Sequence, residues 1–188
     1  LFSPYIIVDN FFDNPYGVVE LAKSQSYERS AVETGPAIAG LKIDRTKPVP
    51  SISWRGYRSR VDDLVITRNY GQHLFNKLFP DVRVYQAGVG WCFSYMPEMA
   101  RESSWFHKDS QPFLAGVIYL SHNPPSFSGT IVGEHTIENK FNRMVAYPAN
   151  TTHSPSCGFG DTIDDARLTL NFFIFSMNMR SFMKKNNM

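Results

Sequence analysis

Phe113–Leu114–Ala115–Gly116–Val117–Ile118–Tyr119–Leu120 and, further on, Arg167–Leu168–Thr169–Leu170–Asn171–Phe172–Phe173–Ile174–Phe175 are apolar runs rich in β-branched and aromatic residues. Their length suits strands, and the first is closed by the turn-formers Ser121–His122–Asn123–Pro124–Pro125. Shorter runs of the same kind flank them: Val82–Ala87, Trp91–Tyr95, Gly129–Val132 and Arg143–Tyr147. Many short strands separated by turns predict a mainly β chain, a sandwich or barrel rather than a parallel sheet with crossover helices.

Upstream, the pattern differs. Tyr5–Ile6–Ile7–Val8 reads as an opening strand, and Asp13–Asn14–Pro15 as a cap with proline at the first helical position. The helix so opened runs to about Ser24, with Val18, Val19, Leu21 and Ala22 as its apolar stripe. Residues 28–60 carry Gly35–Pro36, Gly40, Pro48 and Pro50 with weak periodicity and read as a long irregular segment. Within it, Trp54–Arg55–Gly56–Tyr57–Arg58 mixes aromatic and cationic groups and is the candidate substrate-side loop. Asp62 or Asp63 caps a second expected helix ending near Leu78, with Leu64, Leu74, Phe75 and Leu78 buried. The expectation is one domain over residues 1–188: a helical and irregular part to residue 80, then a β core over 82–176, with the helices outside one sheet.

Composition narrows the function. The net charge is only +2, and the cations are dispersed apart from Lys184–Lys185, so no nucleic-acid stripe is visible. No apolar run approaches the roughly 20 residues of a membrane span. Two cysteines, Cys92 and Cys157, in no metal spacing, fit a reducing compartment, and the cytoplasm is the expected location. A targeting segment ahead of Leu1 and the oligomeric state stay open.

Trp105–Phe106–His107–Lys108–Asp109 carries the chemistry. Residues two apart at a strand end point the same way, so the His107 imidazole and the Asp109 carboxylate can reach one ion. His153, after the strand Arg143–Tyr147 and a turn, supplies a second imidazole. Two imidazoles and a carboxylate leave three positions open on an octahedral metal, the arrangement of non-haem Fe(II) oxygenases. Arg167, Thr169 and Asn171 share one face of the last strand, and a guanidinium facing inward needs an anion. Asp164 and Asp165 are the rival partners for Arg167, whereas His73, His122 and His135 read as structural.

In this order the motifs resemble the Fe(II)/2-oxoglutarate-dependent oxygenases, particularly the small prolyl-hydroxylase-like and phage or bacterial members. The resemblance runs over residues 91–175, and Val8–Pro15 is similar to the family's entry strand and helix. It implies a double-stranded β-helix, or jelly roll, with His107, Asp109 and His153 on Fe(II). It also implies Arg167 and Thr169 on the far carboxylate of 2-oxoglutarate, with Tyr95 and Tyr119 as further contacts. Val117–Leu120 with Ser128–Gly129–Thr130 resembles the family's YL…GGT segment, while the His153-to-Arg167 gap is longer than usual in the family. The implied activity is a dioxygenase that uses O₂ to hydroxylate an unidentified small molecule or protein side chain. Two other readings fit the same residues: a cupin-like hydrolytic metalloprotein holding Zn²⁺ or Mn²⁺, and a non-catalytic jelly-roll binding module.

Overall fold

The structure is a computed structural model in which residues 4–29, 37–38, 41–42, 56–59, 66–79, 88–98 and 105–175 are described. In chain order the elements are β1 (Ile6–Val8), α1 (Pro15–Lys23), β2 (Tyr27–Arg29), β3 (Ala37–Ile38), β4 (Leu41–Lys42), β5 (Tyr57–Ser59), a π-helical turn (Thr67–Gly71), α2 (Gln72–Leu78), β6 (Gly88–Met96), β7 (Leu114–Tyr119), β8 (Thr130–Val132), β9 (His135–Ile137), β10 (Met144–Pro148), β11 (His153–Pro155) and β12 (Arg167–Phe175). A seven-stranded sheet has the order β1-β10-β7-β12-β6-β5-β2, a smaller one the order β11-β8-β9, and β3 pairs with β4. The paired strands are antiparallel, and the two larger sheets face each other as a jelly roll.

The most apolar strand takes the most enclosed place. β12 lies between β6 and β7, and its alternation divides the molecule. Leu168, Leu170, Phe172 and Ile174 enter the outer cluster with Trp91 and Phe93 of β6, Val18, Val19 and Ala22 of α1, and Leu74, Phe75 and Leu78 of α2. The opposite face turns inward, where Ala115, Val117 and Tyr119 of β7 and Val145 and Tyr147 of β10 meet Val132 and Ile137 of the smaller sheet. An antiparallel sheet covered on both faces in this way has no solvated side at its centre.

Helix α1 begins as its sequence dictates. Pro15 occupies the first turn, and the Asn14 side chain accepts a hydrogen bond from Gly17 N at 3.1 Å. A second clip holds the chain entering α1 to the strand region: Asn142, in the left-handed conformation at φ 60°, accepts from Phe12 N at 2.8 Å and donates to Phe12 O at 2.9 Å. β1 is tied to the start of β10 by Asp9, which accepts from Arg143 and Lys140; these cations hold its carboxyl well below the usual range.

The structure refines several expectations. The expected helix to Leu78 is a π-helical turn followed by a short α-helix; its start at Asp62 or Asp63, the strand Val82–Ala87 and the tail lie outside the described residues. The irregular segment contains the short strands β2 to β5 in part or whole; His153 follows β10 and a turn, as expected, and itself begins the short strand β11. β9, two residues after β8, has no clear apolar alternation and was not expected. No helix among the described residues is long and apolar enough to cross a membrane.

Gly116 sits in the middle of β7, where an added Cβ would overlap the Phe172 ring and the Val145 carbonyl. Gly116→Ala is expected to cost about 1–3 kcal/mol, the usual cost of overpacking a close-packed core. In urea unfolding this would be a lower midpoint at unchanged slope; an unchanged midpoint would contradict the packing described.

Candidate functional site

The segment before β7 is held against β11 by backbone bonds in both directions: His107 N donates to His153 O at 3.0 Å, and His153 N donates to His107 O at 2.9 Å. This bridge extends the smaller sheet by one position and sets the two imidazoles side by side, ring centroids 4.2 Å apart. Asp109 N donates to Ala149 O at 2.8 Å, which holds the third side chain in the same row. Two residues earlier, Trp105 N donates to Ser154 Oγ, and the Trp105 ring stacks on His107 at 4.0 Å.

Each imidazole is oriented from behind. His107 Nδ1 lies 3.1 Å from Trp105 O and His153 Nδ1 2.9 Å from Thr151 O, so each Nδ1–H donates to a carbonyl. That tautomer leaves the Nε2 lone pairs facing Asp109, as metal-binding histidines are commonly arranged. Burial, and then the neighbouring His153, lower the pKa of His107 and favour its neutral form. The Nε2 atoms of His107 and His153 stand 3.9 and 3.5 Å from the Asp109 oxygens, and the three donor atoms lie within 4.8 Å of one another. Asp109 Oδ2 is buried and accepts no hydrogen bond.

Three lone-pair donors thus converge with no proton between them. Such a cluster is repulsive unless a cation sits in it, and the set of two imidazoles and one carboxylate suits a divalent transition metal. Neighbouring ligands on an octahedral ion with bonds of about 2.1 Å stand about 3 Å apart, so small side-chain adjustments close the observed spacing. The residues present fit a metal of this class.

The same cavity is walled by β12 and β6 through Arg167, Thr169, Asn171, Ser94 and Met96, by Thr130 of β8 and by Tyr147 of β10. Arg167 is 5% exposed and reaches across from the large sheet to the small one. Its Nε donates to Ser128 O at 2.9 Å, and its Nη2 to Gly129 O at 3.3 Å and Thr130 Oγ1 at 3.1 Å. The Nη1 group takes part in none of these bonds. Asp164 pairs instead with Lys23 at 2.7 Å, and Asp165 accepts from Thr162, so neither rival reaches Arg167. Among the described residues no carboxylate pairs with this guanidinium, and burial disfavours its charged form. Thr169 lies beside it on the same face, its hydroxyl 3.0 Å from Asn171 Oδ1.

The two expected tyrosines fare differently. Tyr95 does not reach the cavity: it is on the outer face of β6, stacked on Tyr57 at 4.5 Å and edge-on to Tyr27 at 5.1 Å. Its antiparallel partner is Leu168, an outer-face residue, and directly opposed residues share a face. Ser94 and Met96 occupy the inner positions instead. Tyr119 is inward but stands behind the cavity wall; its hydroxyl donates to Thr130 Oγ1 at 2.6 Å, and its ring lies 5.5 Å from the Arg167 guanidinium carbon. Tyr147 escaped the sequence reading although it lines the cavity and contacts the His153 ring at 4.7 Å. Period two along Arg143–Tyr147, once Val145 is placed inward, points to it.

Metal binding to these three donors predicts a stability linkage. A divalent ion should raise the melting temperature of the wild-type chain, by about 2.7 kcal/mol of stability at a hundredfold excess over Kd, and leave Asp109→Ala unchanged. Without metal, Asp109→Ala should be at least as stable as wild type, because it removes a buried acceptor with no donor. Equal stabilisation of both proteins by metal would rule out this centre.

The sequence matches no protein-family model and no curated protein. Solved structures do match. An oxidoreductase of the 2OG-Fe(II) oxygenase family from Burkholderia pseudomallei superposes with a TM-score of 0.60 at 12% identity, over 92% of this chain and 85% of that one. A prolyl-4-hydroxylase from Pseudomonas putida gives 0.51 at 10% identity, over 92% of both chains. HygX from Streptomyces hygroscopicus, solved with nickel and 2-oxoglutarate bound, gives 0.60 at 10% identity, over 93% and 84%. At such identities what is shared is the fold, and this chain has the jelly-roll fold of the 2OG-Fe(II) oxygenase structures.

Proposed function

We propose that the protein is a non-haem Fe(II)- and 2-oxoglutarate-dependent oxygenase, most simply a hydroxylase. One observation carries the reading: the three bare lone-pair donors of His107, Asp109 and His153 share a cavity with Arg167, a buried guanidinium that no described carboxylate pairs. A metal alone accounts for the first group and leaves the second unexplained. A dicarboxylate bound between them answers both, because a buried cation is stable only when paired and a carboxylate matches the guanidinium fork.

The roles follow from placement. His107, Asp109 and His153 hold Fe(II), Trp105 O and Thr151 O fix the imidazole tautomers, and Arg167 receives the far carboxylate of 2-oxoglutarate. Thr130 accepts from both Tyr119 and Arg167, so its own hydroxyl proton remains available to the co-substrate, and Thr169 offers a second hydroxyl beside it. Tyr147 and Trp105 flank the imidazoles and limit water. Bound Fe(II) with 2-oxoglutarate supplies the activation of O₂ that ends in succinate, CO₂ and an oxidised C–H bond. HygX, of similar fold, was solved with nickel and 2-oxoglutarate, which supports this pair of groups in the cavity.

We read the chain as one functional domain, since α1 and α2 cover the outer face of the sheet whose inner face carries the site. A content of only two cysteines, Cys92 and Cys157, far apart in the sequence, favours the cytoplasm.

Aerobic incubation with Fe(II) and 2-oxoglutarate should release succinate, and omission of Fe(II) should stop it. Arg167→Leu should weaken 2-oxoglutarate binding by about 2–4 kcal/mol, the cost of truncating one side of a buried charge pair, with the metal still bound. Loss of metal with unchanged 2-oxoglutarate affinity would reverse the assignment, and absence of succinate from metal-loaded wild type would refute the activity.

A further inference from the structure

Tyr147 brings into the cavity a hydroxyl that the protein itself does not use. The residue is 4% exposed and lines the cavity beside the three metal donors. Its ring lies against the His153 imidazole at 4.7 Å, and among the described residues its hydroxyl makes no hydrogen bond. Tyr119, equally inward on the neighbouring strand, is by contrast spent on Thr130. A buried tyrosine hydroxyl usually has a partner, and one left without it carries a desolvation cost that phenylalanine would avoid. The hydroxyl is therefore placed for something the cavity takes in.

Sheet register shows which part of the cavity it serves. Tyr147 of β10 stands opposite Ala115 of β7, and Ala115 opposite Phe173 of β12, so the three form one row of the inner face. Arg167 begins β12, about 20 Å of strand before Phe173. Ala149, just beyond Tyr147, accepts from Asp109 N at 2.8 Å, which puts this row at the metal end. Tyr147 and Arg167 thus enter the cavity from opposite ends.

On the oxygenase reading, on which this inference rests, Arg167, Thr130 and Thr169 serve the far carboxylate of 2-oxoglutarate. That leaves the end that chelates the metal without a donor from the protein. The cavity's other cation, Arg58, stands opposite Glu28 of β2 and is already engaged. We infer that Tyr147 is a co-substrate-binding residue, its hydroxyl donating to the carboxylate or keto oxygen through which the 2-oxo acid is bound to the metal. A phenol is protonated at neutral pH and can donate, while those oxygens can only accept, so the two match. A donor at that end also fixes how the chelate lies on the metal, which three protein ligands with three open positions leave undetermined.

The test compares wild type, Tyr147→Phe and Arg167→Leu, each loaded anaerobically with Fe(II) and titrated with 2-oxoglutarate. It reads both the affinity and the position of the visible charge-transfer band. A hydrogen bond to the chelating oxygens lowers the ligand orbital that receives the electron, so its loss moves the band to shorter wavelength. Tyr147→Phe should weaken 2-oxoglutarate about tenfold, the usual worth of one hydrogen bond to a charged group, and shift the band in that direction. Its affinity for Fe(II) should equal that of wild type. Arg167→Leu should weaken 2-oxoglutarate with the band at its wild-type position. Unchanged affinity and band in Tyr147→Phe would overturn the inference. Weaker binding with an unmoved band would overturn it by taking the hydroxyl away from the chelating end. Loss of Fe(II) affinity would overturn it by making the hydroxyl a support for His153. Wild type that binds Fe(II) yet gives no band with 2-oxoglutarate would instead strike the oxygenase reading itself.

Discussion

β12 is paired on both edges and buried on both faces, and its two-residue period constrains everything around it. Leu168, Leu170, Phe172 and Ile174 can be accommodated only on the side where α1 and α2 complete an apolar layer. Arg167, Thr169 and Asn171 can be accommodated only where polar groups face them. A slip of one residue would exchange the two sets and drive a guanidinium into the outer core, a cost of several kcal/mol for an unpaired buried charge. The register against β6 and β7 is therefore fixed, and with it the identities of the cavity wall.

The same period explains what the sequence revealed and what it hid. The inward set of β12 was legible because the strand alternates cleanly from Arg167 to Asn171. The His107, Asp109 and His153 cluster was legible because the first two are separated by one residue and the third is close to a strand end. Tyr95 was misplaced because face depends on register: opposite Leu168 it points outward, and nothing local to Trp91–Tyr95 discloses that partner. The π-helical turn ahead of α2 left no mark in the apolar pattern, and β9 is too short and too exposed to show alternation. Arg58 was singled out only as part of a mixed loop; its inward direction required the stacking of Tyr57 on Tyr95.

Support for the site comes from backbone more than from side chains. The Trp105 and Thr151 carbonyls orient the imidazoles, the paired bonds between His107 and His153 hold them together, and the Ser128 and Gly129 carbonyls steady Arg167. Neutral acceptors of this kind orient a guanidinium without cancelling its charge, so the cation stays available to an anion. Arg167 and Tyr119 meet at Thr130, so residues of the large sheet grip the small sheet at the point where the proposed function puts the co-substrate. The polar centre of the jelly roll is in this way a structural joint as well as a site.

The central claim is that one cavity holds a metal on His107, Asp109 and His153 and chelates 2-oxoglutarate to it. Anaerobic titration of the Fe(II)-loaded chain with 2-oxoglutarate tests this most directly, since a bidentate 2-oxo acid on Fe(II) produces a weak visible charge-transfer band. The account predicts a saturable band in wild type that is absent from Asp109→Ala. Fe(II) bound at stoichiometry with no band at any 2-oxoglutarate concentration would contradict it.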